Sequence, residues 1–118
     1  MAVIAFAIPG HLPSRANERL SRKERNKLTR YQRQSGYLHT YSALNVKRVK
    51  LPVAVKLTRI APRPLDDDNL PAAFKNLRDG IADAFGVGDS KRDPITWEYE
   101  EVIGPDDGVK VEIRETPQ

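Results

Sequence analysis

The sequence predicts a single α+β domain, in which a mixed β-sheet carries helices on one face in the order β-α-β-α-β-β. Three observations predict it. Period-two alternation of apolar residues recurs near the start, in the middle and twice near the end of the chain. One segment after the middle has an apolar face at helical spacing, and a long polar stretch before it favours helix. The 118 residues fit one domain and leave no room for a second. Such a domain hides roughly 65% of its unfolded surface, enough for one modest core. A sheet apolar on one face must bury that face under helices.

The first strand is read over residues 3–8, with Ile4, Phe6 and Ile8 on one side. Pro9, Gly10 and Pro13 then force a loop. Ser21-Arg22-Lys23-Glu24 has the form of a capping box, which starts a helix at Arg22. Gly36 is read as its stop. Its apolar stripe is thin (Leu20, Leu28 and Tyr31), so this helix is expected to bury little and present arginines outward. Residues 37–50 give no clear pattern. Val53, Val55 and Leu57 alternate with Ala54, Lys56 and Thr58 as a strand that Pro62 and Pro64 end. Leu70, Phe74, Leu77, Ile81 and Phe85 follow at spacings of four, three, four and four, one face of a helix. Pro71 is tolerable only in a first turn, so this helix is expected to begin near Asp68 or Asn69 and to close at Gly86 and Gly88. Ile95, Trp97 and Tyr99 alternate with Thr96, Glu98 and Glu100. After Gly104-Pro105-Asp106-Asp107-Gly108, Val109, Val111 and Ile113 alternate again, and the two runs read as a β-hairpin.

Composition narrows the chemistry. There is no cysteine, which excludes disulfides and thiolate metal sites and suits a cytoplasmic protein. The opening apolar run lacks a basic leader and is too brief for a signal peptide or a membrane span, so no membrane partner is expected. There is no phosphate-binding glycine loop, which argues against kinases and nucleotide-dependent redox enzymes. The net charge of +4 is unevenly spread. Residues 11–50 hold eleven Lys or Arg against Glu18 and Glu24, a balance of +9; the rest holds nine basic and fourteen acidic residues, a balance of −5. A basic half suits a polyanion and an acidic half a cation, although either can be an ordinary solvated face.

Asp66 and Asp68 are the centre of the functional reading. In extended chain, side chains two apart point the same way, ~7 Å apart, so both can converge on one cation while Asp67 faces away. Mg²⁺ or Mn²⁺ takes such carboxylate oxygens, with water and substrate phosphate completing its shell. Asp89, just past the helix, is the candidate third carboxylate; to meet the other two, the helix must cross back over the sheet or the loop must fold against its start. The competing reading makes the acids ordinary helix N-caps that complement the helix dipole. Lys75 is a candidate contact to a metal-bound phosphate, or else an i,i+4 partner of Asp79 worth only ~0.3 kcal/mol. Arg15, Arg19, Arg22, Lys23, Arg25, Lys27, Arg30 and Arg33 are the candidate DNA-backbone contacts, because few acids compensate them. Tyr31, Tyr37 and Tyr41 lie among them and either stack on bases or finish a core edge. His11 and His39 stand alone, and Trp97 is expected in the core.

Leu65-Asp66-Asp67-Asp68-Asn69-Leu70, then Lys75, Asp79-Gly80-Ile81 and Gly88-Asp89-Ser90, resembles the motif series of the RusA-type Holliday junction resolvases. Pro13-Ser14 and Asn17-Glu18-Arg19 with the basic stretch beyond look like the matching part of phage and prophage members. The resemblance implies a small α+β homodimer that binds four-way or otherwise branched DNA in recombination and repair and nicks it with Mg²⁺ or Mn²⁺. It implies Asp66, Asp68 and Asp89 as metal ligands and catalytic residues, and Lys75 as the motif lysine if Pro71-Ala72-Ala73 is counted as an insertion. Gly88 stands where many members carry another acid, and Glu100 and Glu101 stand where a basic residue is expected. The alternative expectations are a non-catalytic DNA-binding accessory protein, or a structural protein whose acids only cap a helix.

Overall fold

The computed structural model describes residues 2–10, 20–65, 70–87 and 94–117. The elements are β1 (Val3–Pro9), α1 (Arg22–Val46), β2 (Val53–Ala61), α2 (Leu70–Ala73), α3 (Lys75–Phe85), β3 (Ile95–Ile103) and β4 (Gly108–Glu115). This is the predicted α+β order, with the second helix broken in two at Phe74. The four strands form one mixed sheet in the order β1-β4-β2-β3, with β2 parallel to β3 and every other pair antiparallel.

The alternation of each strand sorts its side chains between the two faces. Ile4, Ile8, Val53, Val55, Leu57, Ile95, Val109, Val111 and Ile113 form one buried layer. Phe74, Leu77 and Ile81 close over it from the helical side, each contributing ~1.5–3 kcal/mol by burial. The opposite face of the sheet is charged. Lys56 meets Glu100 at 2.9 Å, Arg114 meets Glu98 at 2.6 Å and Lys110 meets Glu112 at 2.8 Å. Trp97 packs against the core edge as expected, with the Arg78 guanidinium 5.6 Å over its ring.

The expected β3–β4 hairpin does not form. β2 lies between the two strands and pairs with both. Ala54 and Thr58 are buried as well as Val53, Val55 and Leu57, so β2 is covered on both faces and takes a central place. The Gly104–Asp107 turn crosses the end of β2 instead of joining neighbours, and the Gly104 N–H donates to the Ala61 carbonyl at 3.0 Å.

Gly36 is not a helix stop either. The capping box does start α1: the Glu24 N–H donates to Ser21 Oγ at 3.1 Å and the Ser21 N–H to Glu24 Oε1 at 3.4 Å. The helix then runs through Gly36 to Val46, absorbing most of the stretch that lacked a pattern. Gly36 is needed because α1 crosses α3 in backbone contact there: a Cβ on it would lie 2.7 Å from the Leu77 carbonyl oxygen. Gly80 of α3 is the counterpart, where a Cβ would lie 2.0 Å from the Arg33 carbonyl oxygen. Next to this crossing, buried Asn76 donates to Gln32 at 2.9 Å. α3 ends as expected at Gly86, in the left-handed region at φ 74°.

Candidate functional site

The direction of the elements decides what can share a site. β1, β2 and β3 run parallel, so their C-terminal ends lie together at one end of the sheet. Tyr31, Gln32 and Ser35 of α1 line a small cleft with Ile8, Pro9 and Gly10, which puts the N-terminal half of α1 at that same end. Residues 22–27 are exposed on every side, so the first turns of α1 project beyond the body. Arg22, Lys23, Arg25, Lys27 and Arg30 are all exposed there. Arg15 and Arg19 lie outside the described residues.

Arg33 behaves differently from the other cations of α1. It makes a two-toothed pair with Asp83 of α3, at 2.8 and 3.1 Å, and so joins the two helices. Tyr31 is 62% exposed. Tyr37 and Tyr41 are also exposed and stack on one another with ring centres 5.7 Å apart. His39 is half-buried and bonded to the Ser35 carbonyl at 2.8 Å, while His11 lies outside the described residues.

Asp66, Asp68 and Asp89 also lie outside the described residues, as do Asn69, the expected helix start, and Gly88. Their described neighbours are informative. Leu65, the last residue before the acidic run, is buried at the C-terminal end of β2, its N–H donating to Glu101 of β3 at 3.1 Å. Leu70 opens α2 on the far side of the run. Leu65 thus lies at the end from which the cationic turns of α1 project.

Pro94, the first described residue after the Asp89 segment, lies elsewhere. α3 carries the chain from that end to the opposite one, where the Pro94 carbonyl accepts from the N–H of Val53, the first residue of β2. The helical stretch from Leu70 to Phe85 spans ~22 Å at 1.5 Å per residue. Asp68 stands two residues before Leu70 and Asp89 two after Val87. The described residues Leu65 and Pro94, one beside each acidic segment, lie toward opposite ends of β2.

Lys75 sits at the start of α3 with its side chain 57% exposed, 3.4 Å from Asp79. The i,i+4 pair forms, but an exposed pair of that length is weak and leaves the ammonium at the surface. Among the described residues no group of three or more His, Asp or Glu is placed to hold a metal ion. Nor is any helix among them long and apolar enough to cross a membrane.

Sequence reasoning missed a pair at the carboxylate end. Arg59 of β2, only 4% exposed, sits directly across from Glu101 of β3 and meets it at 3.2 Å. The signal was present: period-two counting from Val53, Val55 and Leu57 lands Arg59 on the buried face, and Ile95, Trp97 and Tyr99 do the same for Glu101. No family model matches this chain, and no curated protein matches it.

Proposed function

We propose that the chain is a Mg²⁺- or Mn²⁺-dependent endodeoxyribonuclease acting on branched DNA, in the manner of the RusA-type resolvases that its motifs resemble. The observation that supports this most is the shared end of the fold. The exposed cations of α1 project from the end at which Leu65 and Leu70 bracket the acidic run. Phosphate backbone bound along Arg22, Lys23, Arg25, Lys27 and Arg30 would run past that run. Asp66 and Asp68, with Asp89, would hold one or two ions, whose chemistry is to lower the pKa of a bound water for attack on phosphorus and to steady the leaving oxygen. The carboxylates fit such hard cations, which prefer oxygen ligands. Lys75 would contact the scissile phosphate. A homodimer would set two such sites on a near-twofold junction. This chemistry belongs in the cytoplasm of a bacterial or phage-infected cell.

Cleavage of a synthetic four-way junction, with and without Mg²⁺, tests the reading. The wild type cuts only with the ion, and Asp68→Asn is inactive while still binding DNA; a mutant as active as the wild type refutes the assignment. The exposed cations along the first turns of α1 equally suit one second reading, a non-catalytic module that binds DNA through α1. It predicts steeply salt-dependent binding without cleavage under any divalent ion.

A further inference from the structure

We infer that Tyr37 and Tyr41 are a stacking platform for unpaired bases, and that one face of α1 holds a single DNA strand. The inference rests on the DNA-binding part of the reading above and not on cleavage. Lys23, Lys27, Arg30, Gln34, Tyr37 and Tyr41 follow one another at spacings of four, three, four, three and four. On a helix that spacing makes one straight stripe, ~27 Å long at 1.5 Å per residue. All six residues are exposed. The stripe carries its cations in the N-terminal half, its rings in the C-terminal half, and no acid. Glu24, the one acid of α1, lies off the stripe and is engaged in the capping box. The buried side of the helix is elsewhere: Gln32 and Gly36 meet Asn76 and Leu77 of α3.

Tyr37 is 37% exposed and Tyr41 48%, and their rings stand 5.7 Å apart and 19° from parallel. An aromatic pair at i,i+4 also steadies a helix, but that role alone predicts no dependence on the bases of a ligand. The charge pattern selects the occupant. A duplex keeps its bases stacked inside and offers this face only phosphates. An unpaired strand offers phosphates to the cations and bases to the rings, the combination by which single strands are held. The backbone beneath the platform is fixed by α3: a Cβ on Gly80 would lie 2.8 Å from the Tyr37 nitrogen, and Arg33, one turn earlier, is bonded to Asp83. A platform already in place loses little freedom on binding. Tyr31 differs, since it lies off the stripe and lines a cleft with Ile8 and Pro9.

The test is fluorescence anisotropy of the full-length chain with labelled oligonucleotides, in EDTA so that no cleavage intrudes. The probes are a single strand, the duplex of the same sequence, and the same strand with abasic sites, which keeps every phosphate and lacks the bases. The wild type is expected to bind the abasic strand about 5–150-fold more weakly than the intact one, the effect of losing a base–aromatic stack. Tyr37→Leu/Tyr41→Leu keeps good helix formers and is expected to lose a comparable factor on the single strand and little on the duplex. Tyr37→Phe/Tyr41→Phe keeps both rings and is expected to bind as the wild type does. Lys27→Gln/Arg30→Gln is expected to lower the single-strand salt slope by about 0.7 for each phosphate released, a slope that Tyr37→Leu/Tyr41→Leu leaves unchanged. A wild type that binds the abasic strand as tightly as the intact strand overturns the inference, whether or not the substituted chains fold. Wild-type single-strand affinity in a folded Tyr37→Leu/Tyr41→Leu chain also overturns it; if that chain sediments as a smaller species than the wild type, the face is an interface between copies instead. A wild type that discriminates the strands as expected but cuts no junction with Mg²⁺ loses the nuclease reading and keeps this one.

Discussion

Gly80→Ala is the sharpest test of how the helices sit. In an exposed helix this change is favourable by about 1 kcal/mol, because alanine loses less backbone freedom on folding. Here the added Cβ would lie 2.0 Å from the Arg33 carbonyl oxygen and 2.8 Å from the Tyr37 nitrogen. Both are backbone atoms of α1, so no side chain can swing aside. Ordinary carbon contacts need about 3.5 Å or more, so the helices must part by more than ~1 Å. Overpacking of this kind costs about 1–3 kcal/mol, and a clash with backbone on both sides belongs at the upper end. Parting the helices also stretches the Asn76–Gln32 hydrogen bond beside the crossing. A net loss of about 3 kcal/mol lowers the melting temperature of a domain this size by roughly 10 °C. Gly86→Ala is the contrast. Its φ of 74° penalises a side chain by about 1–2 kcal/mol, but nothing lies within 4 Å to clash. Thermal unfolding followed by circular dichroism reads both. If Gly80→Ala melts at or above the wild type, α1 and α3 do not meet as described.

The other consequences are smaller. Asn76→Leu alone leaves Gln32 buried without its partner and should cost about 1–3 kcal/mol, whereas Gln32→Leu/Asn76→Leu should recover much of that; a double-mutant cycle in denaturant measures the coupling, and strict additivity would count against the bond. Hydrogen bonding from Lys56, more than its charge, holds the Glu100 carboxyl below its usual range, and Lys110 does the same for Glu112. A lowered carboxyl pKa stabilises the fold above the ordinary glutamate value near 4.3, and that contribution is lost as the pH falls through the lower folded value. Melting temperature should therefore fall less steeply between about pH 5 and 3 in Lys56→Met than in the wild type, and added salt should shrink the difference. Replacing Arg22, Arg25 and Arg30 by Gln should reduce the salt slope of DNA binding by about 0.9 for each phosphate no longer neutralised. Arg33→Gln should change the slope less, since its guanidinium already faces Asp83.

The sequence made local structure legible wherever one residue had one job. Ser21 and Glu24 announce a helix start because each side chain satisfies the other's backbone. Leu70 through Phe85 announce a face because burial on one side of a helix demands that spacing. Gly36 misled because glycine has two uses in a helix, as a terminator and as a place for another backbone to approach, and only the presence of α3 distinguishes them. The hairpin misled for a related reason. Alternation tells which face of a strand is buried but says nothing about which strand is its neighbour. The sign that β2 was central lay in the small Ala54 and Thr58 between its larger residues, positions that a strand open on one face fills with charge. Arg59 and Glu101 were legible by counting and were overlooked because charged residues in strands are read as outward. The acidic run lies outside the described residues. That Leu65 and Pro94 end toward opposite ends of β2 was not legible, because it is a property of the whole fold.

The described residues that flank the aspartates bear on how a three-aspartate site is assembled. Leu65 lies beyond the C-terminal end of β2, bonded to Glu101, whereas Pro94 sits beside Val53 at its start. A site built across a twofold axis, with Asp89 from one chain and Asp66 and Asp68 from its partner, does not ask one chain to span that length. The two assemblies differ in a way activity can read. Asp68→Asn and Asp89→Asn chains are each inactive alone under either arrangement. Mixed after co-refolding, a site built within one chain carries a lesion everywhere and stays dead. A site built across the twofold axis is complete once in every mixed dimer, with Asp66 and Asp68 from one chain and Asp89 from the other. Random pairing makes half of the dimers mixed, each with one intact site of two, so about one quarter of wild-type cleavage should return. Partial recovery of junction nicking on mixing is the expected result, and its absence, with both single mutants shown to dimerise and bind DNA, would sink assembly across the axis.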